Sequence, residues 1–366
     1  MDPLNKKIAI AAIVVVAIVV VAGVAIVFWP QTPPKANVIY WTTIAPAQQK
    51  ANLQSGNVQG AVSWEPYVSD SLVDGTATVV AWSADIWPNH PCCVVAVRYS
   101  TAFPNNTLDQ NLVARVIRAH IDATNWIVKT INEGSGANYT ALLNMGAAFS
   151  SRNTTVVASA ISHTEYAYGL TSTVQNFFAN FTEMFKDLGQ ITNYGGYATA
   201  SDFVNATVDT SYLQAAMSVT PSATNLGTVR LGYLNGDLHQ FARVVAMNTT
   251  LWGGKTLFDV YGVHVTSPAP YANGPAVMDG FAAGNIDMGY LGAPPAILKQ
   301  INAGTGIKII ALANSEGSAI IATGGVTSLS GLVGKTVATP GPGSIQHLLL
   351  LYYCQQEGYQ LKLVGT

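Results

Sequence analysis

Two distant stretches of this chain carry the same pattern, and that pattern constrains the fold more than any other feature. One is Leu53-Gln-Ser-Gly56-Asn57-Val58, running on to Trp64-Glu65-Pro66. The other is Phe281-Ala-Ala-Gly284-Asn285-Ile286, running on to Gly292-Ala293-Pro294. Each reads as the end of a helix, a Gly in the left-handed position after it, a short buried strand, and a loop leaving the strand tip. A unit that occurs twice predicts two similar α/β lobes. Facing strand tips make a cleft, and open α/β sheets take ligands beyond the carboxyl ends of their strands. Chance likeness between two helix–Gly–strand units is the alternative.

The flanking sequence agrees with alternating strands and helices, hence mostly parallel sheets. Strands are expected at 38–43, 58–63, 78–82 and 92–97. A long amphipathic helix is expected over 112–131, with further helical patterns at 46–55, 140–145, 156–162 and 174–188. Residues 218–228 lack periodicity and read as a linker. Beyond them, strands are expected at 229–234, 262–265, 286–289, 307–313, 318–323, 336–339 and 361–364. Helices fall at 240–248, 274–284, 295–303 and 345–356.

The chain has 366 residues, enough for two lobes and a tail. Charged residues are only 10%, against roughly 25% in ordinary soluble domains. No basic block exists, so nucleic acid is not expected as a partner. Ile8 to Trp29 is an uncharged apolar run preceded by Lys6 and Lys7. It is long enough to span a bilayer, and the positive-inside rule puts everything after Pro30 outside. An uncleaved single-pass anchor is expected, a cleaved signal peptide being the rival. Asn-x-Ser/Thr sequons at Asn105, Asn138, Asn153, Asn180, Asn205 and Asn248 agree with an outside location.

Loops at strand tips supply the candidate site. Gly341-Pro-Gly343-Ser344 opens a helix. Its glycines let backbone N–H groups approach a ligand, and the helix N-terminus favours an anion. An ordinary Gly-rich turn with a Ser cap explains the same residues. Gly292 and Ala293 leave room at one tip; Trp64 and Tyr67 could wall the equivalent tip, with Glu65 as a helix cap or a cation's partner. Asn235 and His239 follow a strand, and Tyr271 and Asn273 stand at the same level. Cys92 and Cys93 read as small apolar residues of a buried strand, in no zinc spacing, and no metal ligand is expected. Neither Gly-x-Ser-x-Gly nor His-Glu-x-x-His occurs, and no cofactor fingerprint is present. His163, Glu165 and Tyr166 cluster in what reads as a helical tail. No enzyme activity is expected.

Taken together, Val229-Arg-Leu-Gly-Tyr-Leu, Gly284-Asn-Ile-Asp-Met-Gly, Gly304-Thr-Gly-Ile-Lys-Ile-Ile-Ala and Leu332-Val-Gly-Lys-Thr-Val-Ala resemble a known family. They are similar to the first part of the nitrate/sulfonate/taurine-type substrate-binding proteins of ABC transporters. Gly56-Asn-Val-Gln-Gly-Ala-Val-Ser-Trp64-Glu65-Pro66-Tyr67 resembles that family's second-lobe signature. The order is reversed, so the resemblance implies a circularly permuted, type II periplasmic-binding-protein-like α/β fold behind an N-terminal transmembrane helix. A misassembled or truncated pair of tandem receptors is the alternative history. The expected division is an anchor at 1–30, a linker at 31–36, half of the second lobe at 37–91, a hinge strand and helical region at 92–217, a linker at 218–228, the first lobe at 229–317, and a hinge strand with the other half of the second lobe at 318–366. Hinges are expected at 92–97 and 318–323. The implied function is capture of a small, anionic or polar solute for an ABC transporter permease. A membrane-tethered sensor or adhesion protein reusing the fold is the second reading.

Overall fold

The computed structural model describes residues 37–99, 109–268 and 270–365. The apolar run at 8–29 lies outside the described residues. Among the described residues, no helix is long and apolar enough to cross a membrane.

Thirteen strands are described: β1 (Val38–Thr43), β2 (Gly60–Trp64), β3 (Thr78–Trp82), β4 (Cys93–Arg98), β5 (Thr164–Tyr166), β6 (Thr228–Gly232), β7 (His264–Thr266), β8 (Met288–Gly292), β9 (Ile307–Leu312), β10 (Asn314–Glu316), β11 (Ser318–Ala322), β12 (Thr336–Thr339) and β13 (Gln360–Leu363). They form a six-stranded sheet in the order β13-β1-β12-β2-β11-β3 and a five-stranded sheet in the order β7-β6-β8-β4-β9. A two-stranded ribbon pairs β10 with β5. This mixed α/β architecture fits a periplasmic-binding-protein-like fold.

The repeated pattern occupies equivalent places. Gly56 and Gly284 take left-handed φ values of 76° and 69°. Their N–H groups close the preceding helices on Leu53 and Phe281 in the same way. The strands that follow, β2 and β8, each sit in the middle of their sheet beside an antiparallel member, β11 and β4 respectively. β2, β8, β4 and β11 are almost wholly buried, which is why their sequences run apolar without alternation.

The segments expected as hinges are largely strand: residues 93–97 and 318–322 lie inside the sheets with paired neighbours on both sides. The chain passes between sheets just before them, through residues 83–92 and 313–317. The second passage is braced by the ribbon, in which Asn314 faces Tyr166. The His163–Tyr166 segment is therefore partly strand, not a helical tail.

The six-stranded sheet draws on both halves of the sequence. β1 pairs in parallel with β12 on one side and with β13 on the other. β12 reaches β2 through Val337 opposite Gly60. The helix Ile345–Gln356 packs on β2 and β11, so the segment that follows β12 and the segment that precedes Pro66 share one body. Three-quarters of β13 is exposed, whereas Val38 and Ile39 of β1 are buried.

Against the five-stranded sheet lies the helix Gln110–Glu133. Asp109 caps its start by accepting from the Asn111 N–H, and Gly134 ends it in the left-handed conformation. Val113, Val116, Ile117, His120, Thr124 and Ile127 form its buried stripe. His120 donates from Nε2 to the Leu312 carbonyl at 2.8 Å and accepts at Nδ1 from the Tyr290 hydroxyl at 3.0 Å. Burial pushes this imidazole down to about 4. The expected linker at 218–228 is tied down rather than free. Ser222 and Leu226 donate backbone bonds to Val260 and Gly262, and Gly227 lies against Leu112.

Candidate functional site

A cavity of about 70 Å³ lies between the strand tips of the two sheets. Trp64, residues 340–342 and residues 344–346 enter from the six-stranded side. Leu234, Asp237, His239, residues 273–275, Gly292 and Pro295 enter from the five-stranded side, with Cys92 and Cys93 between them. Of the residues expected from sequence, Trp64, His239, Asn273, Gly292, Gly341 and Ser344 line it.

Trp64 ends β2 opposite Ser318 and is 8% exposed. Its indole Nε1–H is buried with no hydrogen-bond partner among the described residues. A buried unpartnered donor costs about 1–3 kcal/mol, so this N–H awaits an acceptor. Asn273 is a helix cap as well as a wall residue, its side chain accepting from the Ala276 N–H.

The remaining expected residues do other work. Glu65 is fully buried, and its carboxylate accepts from the Ser69 N–H and hydroxyl at 3.0 and 2.9 Å, which is the helix-capping alternative. Tyr67 donates to the Asn235 carbonyl at 3.2 Å and so ties one set of strand tips to the other. Asn235 itself donates its backbone N–H to Tyr271. The Tyr271 ring packs against Gly280, where any β-carbon would collide with it. Ala293 is fully buried and donates its N–H to the Cys92 carbonyl at 2.8 Å.

At the anion cradle expected from Gly343 and Ser344, part of the polar capacity is used within the protein. The Ser344 N–H is spent on the Gly341 carbonyl at 3.2 Å, and its hydroxyl caps the helix by accepting from the His347 N–H. A β-carbon at Gly343 would lie 2.7 Å from Leu298 Cδ2, on a helix of the five-stranded side, not in the cavity. The Gly-rich turn lets two packed surfaces approach.

Sequence reasoning missed Asp237, Gln346 and the two cysteines as wall residues. Gln346 donates to the Ser318 hydroxyl at 3.0 Å. His239 is buried and joins three partners. Nε2 lies 2.8 Å from the Gly317 carbonyl, Nδ1 lies 3.2 Å from Cys92 Sγ, and the backbone N–H donates to Asp237 at 2.9 Å. Burial disfavours its charge, but Cys92 and Asp237 outweigh that and raise its pKa to about 9. The Cys92 thiol is lowered by its hydrogen bond with Cys93 and by His239, against burial. Cys93 is driven up by the Cys92 thiolate and by burial. Asp237 is raised by burial. The signal that could have found this cluster was His239 at a strand tip. Nothing in the local spacing around Cys92 points to a residue so far along the chain.

With that geometry in place, comparison with known proteins places part of the chain. The NMT1-like family model matches residues 22–141. The match takes in β1 to β4 and the long helix that follows. A bicarbonate transport ATP-binding protein of Synechocystis sp., CmpC, is 35% identical over 69 residues, which are 18% of this chain and 10% of that protein. The match thus spans about a tenth of the length of this curated relative. No solved structure matches the chain.

Proposed function

We propose that this protein captures a small solute outside the membrane and presents it to an ABC importer, binding it without chemical change. The observation that carries the reading is the cavity itself. It lies at the facing strand tips of two sheets, is lined from both, and has the unpartnered Trp64 N–H as a donor in its wall. Its volume suits a small solute with an acceptor group such as an oxyanion. The NMT1-like match supports a substrate-binding role, and the partial likeness to a bicarbonate transport protein points toward small oxyanions. Two lobes would close over the solute, flexing at residues 83–92 and 313–317.

In this reading the chain is a circular permutation of the family order. One lobe is completed by residues 37–82 and 318–363, and β1 takes the slot beside β12 while β13 is displaced to the edge. The apolar run at 8–29 is the membrane anchor. The exposure of Asn138, Asn153, Asn180 and Asn205 is compatible with an outside location.

The test is calorimetry and thermal shift of the purified chain with bicarbonate, nitrate, taurine and alkyl sulfonates. Saturable binding of one of them at micromolar concentration, with a change in Trp fluorescence, is expected. Absence of binding across the panel would remove the small-oxyanion reading. A membrane-tethered sensor would bind its ligand equally well but fail to restore uptake in cells carrying the cognate permease.

A further inference from the structure

We propose that Cys92, Cys93 and His239 form a binding site for a thiolate-preferring transition-metal ion, of which Zn(II) is the commonest, in the wall of this cavity. The site goes beyond solute capture and does not rest on it, because its argument uses only the donor atoms and their supports.

Both Sγ atoms and the His239 ring nitrogen lie within 4.8 Å of one another, and the Cys92 Sγ to Nδ1 separation is 3.2 Å. Tetrahedral zinc with bonds of about 2.3 Å to sulfur and about 2.0 Å to nitrogen requires ligand atoms roughly 3.5–3.8 Å apart. The separations found here differ from that spacing by about 1 Å or less. All three side chains are buried, at 2%, 3% and 1% exposure, so their positions are fixed by packing.

The imidazole is oriented as a ligand. The Gly317 carbonyl can only accept, so Nε2 carries a hydrogen, and Nδ1 faces the sulfurs and offers its lone pair once the incoming cation displaces its proton. Asp237 stands behind the set: it accepts from the His239 backbone N–H, and its Oδ2 lies 3.9 Å from Cys93 Sγ. Cysteines serving only as small apolar filler would be surrounded by hydrocarbon; these two face a carboxylate and an imidazole. Two sulfurs and one imidazole nitrogen suit Zn(II) or Cu(I) and not Ca²⁺ or Mg²⁺. Three protein ligands leave one coordination position, and the cavity borders all three residues.

The experiment titrates the reduced, metal-stripped full chain with Co(II) and then displaces it with Zn(II). Wild type should bind one equivalent, showing a near-ultraviolet thiolate-to-cobalt band and the strong visible bands of four-coordinate cobalt. Cys92→Ser, Cys93→Ser and His239→Gln should each weaken binding at least tenfold, and each Ser variant should lose part of the thiolate band. Cys354→Ala, at a buried cysteine elsewhere, should change neither. A second readout on wild type alone guards against unfolded variants. Zn(II) should protect Cys92 and Cys93, but not Cys354, from alkylation in mild denaturant, as mapped by peptide mass spectrometry. A wild type without the thiolate band, Cys variants that bind cobalt like wild type, or equal alkylation of all cysteines with and without zinc would each overturn the site.

Discussion

Gln360 donates its backbone N–H to the carbonyl of Asn37 at 2.7 Å, so that the last strand of the chain is laid against the first. Only this edge of the six-stranded sheet depends on β13. The buried work is done by β1, whose Ile39 is fully enclosed.

Ending the chain at Tyr359 should therefore leave it folded. The few ladder hydrogen bonds lost, about 1 kcal/mol each, are nearly offset by the chain entropy regained. The melting temperature should fall by no more than about 5 °C. The bared edge of β1 should then promote self-association, read by size-exclusion chromatography with light scattering. A truncated chain that fails to fold would show that β13 holds the sheet together.

Gly317 and Gly56 offer a matched pair. Both are left-handed, at φ 77° and 76°, so alanine adds about 1 kcal/mol of backbone strain at either. At Gly56 the new methyl meets nothing within 4 Å, whereas at Gly317 it collides with the His239 ring and Thr164. Denaturant unfolding should show Gly317→Ala to be less stable than Gly56→Ala by about 2 kcal/mol. Equal losses would mean that His239 is not held against Gly317.

His120 should confer acid sensitivity. Its imidazole sits at about 4 in the folded protein and near 6.5 when unfolded, so the native state binds fewer protons between those values. The contribution is complete above pH 6.5 and is lost as pH falls toward 4, by about 3 kcal/mol. His120→Gln should flatten the stability-versus-pH curve over that window relative to wild type. Parallel curves would contradict the assignment. His90 and His347 are also lowered by burial and remain in both proteins, so the difference isolates His120.

Trp64→Phe removes an N–H that has no partner among the described residues and keeps an aromatic ring. Stability should be unchanged or slightly higher. Affinity for the solute should fall about tenfold, roughly 1.4 kcal/mol, if its acceptor meets that N–H. Unchanged affinity in calorimetry would place the solute elsewhere in the cavity.

Local chemistry alone determined much of this protein. The doubled Gly-Asn pattern located β2 and β8, because a left-handed helix stop followed by an apolar run has few other readings. The helical spacing over 112–131 located the long helix to within two residues at each end. The short ribbon of β5 and β10 was not legible, since three-residue strands carry no periodicity and exist only through the partner they meet. The strand tips were legible as a place for a cleft, but which side chains face it was not. Glu65 turns to Ser69 and Tyr271 to Gly280, because each found a nearer backbone or packing partner than open space. Only the tertiary structure could bring His239 to Cys92 and Cys93, or orphan the Trp64 N–H. Both depend on how two sheets meet, and local sequence carries no record of that contact.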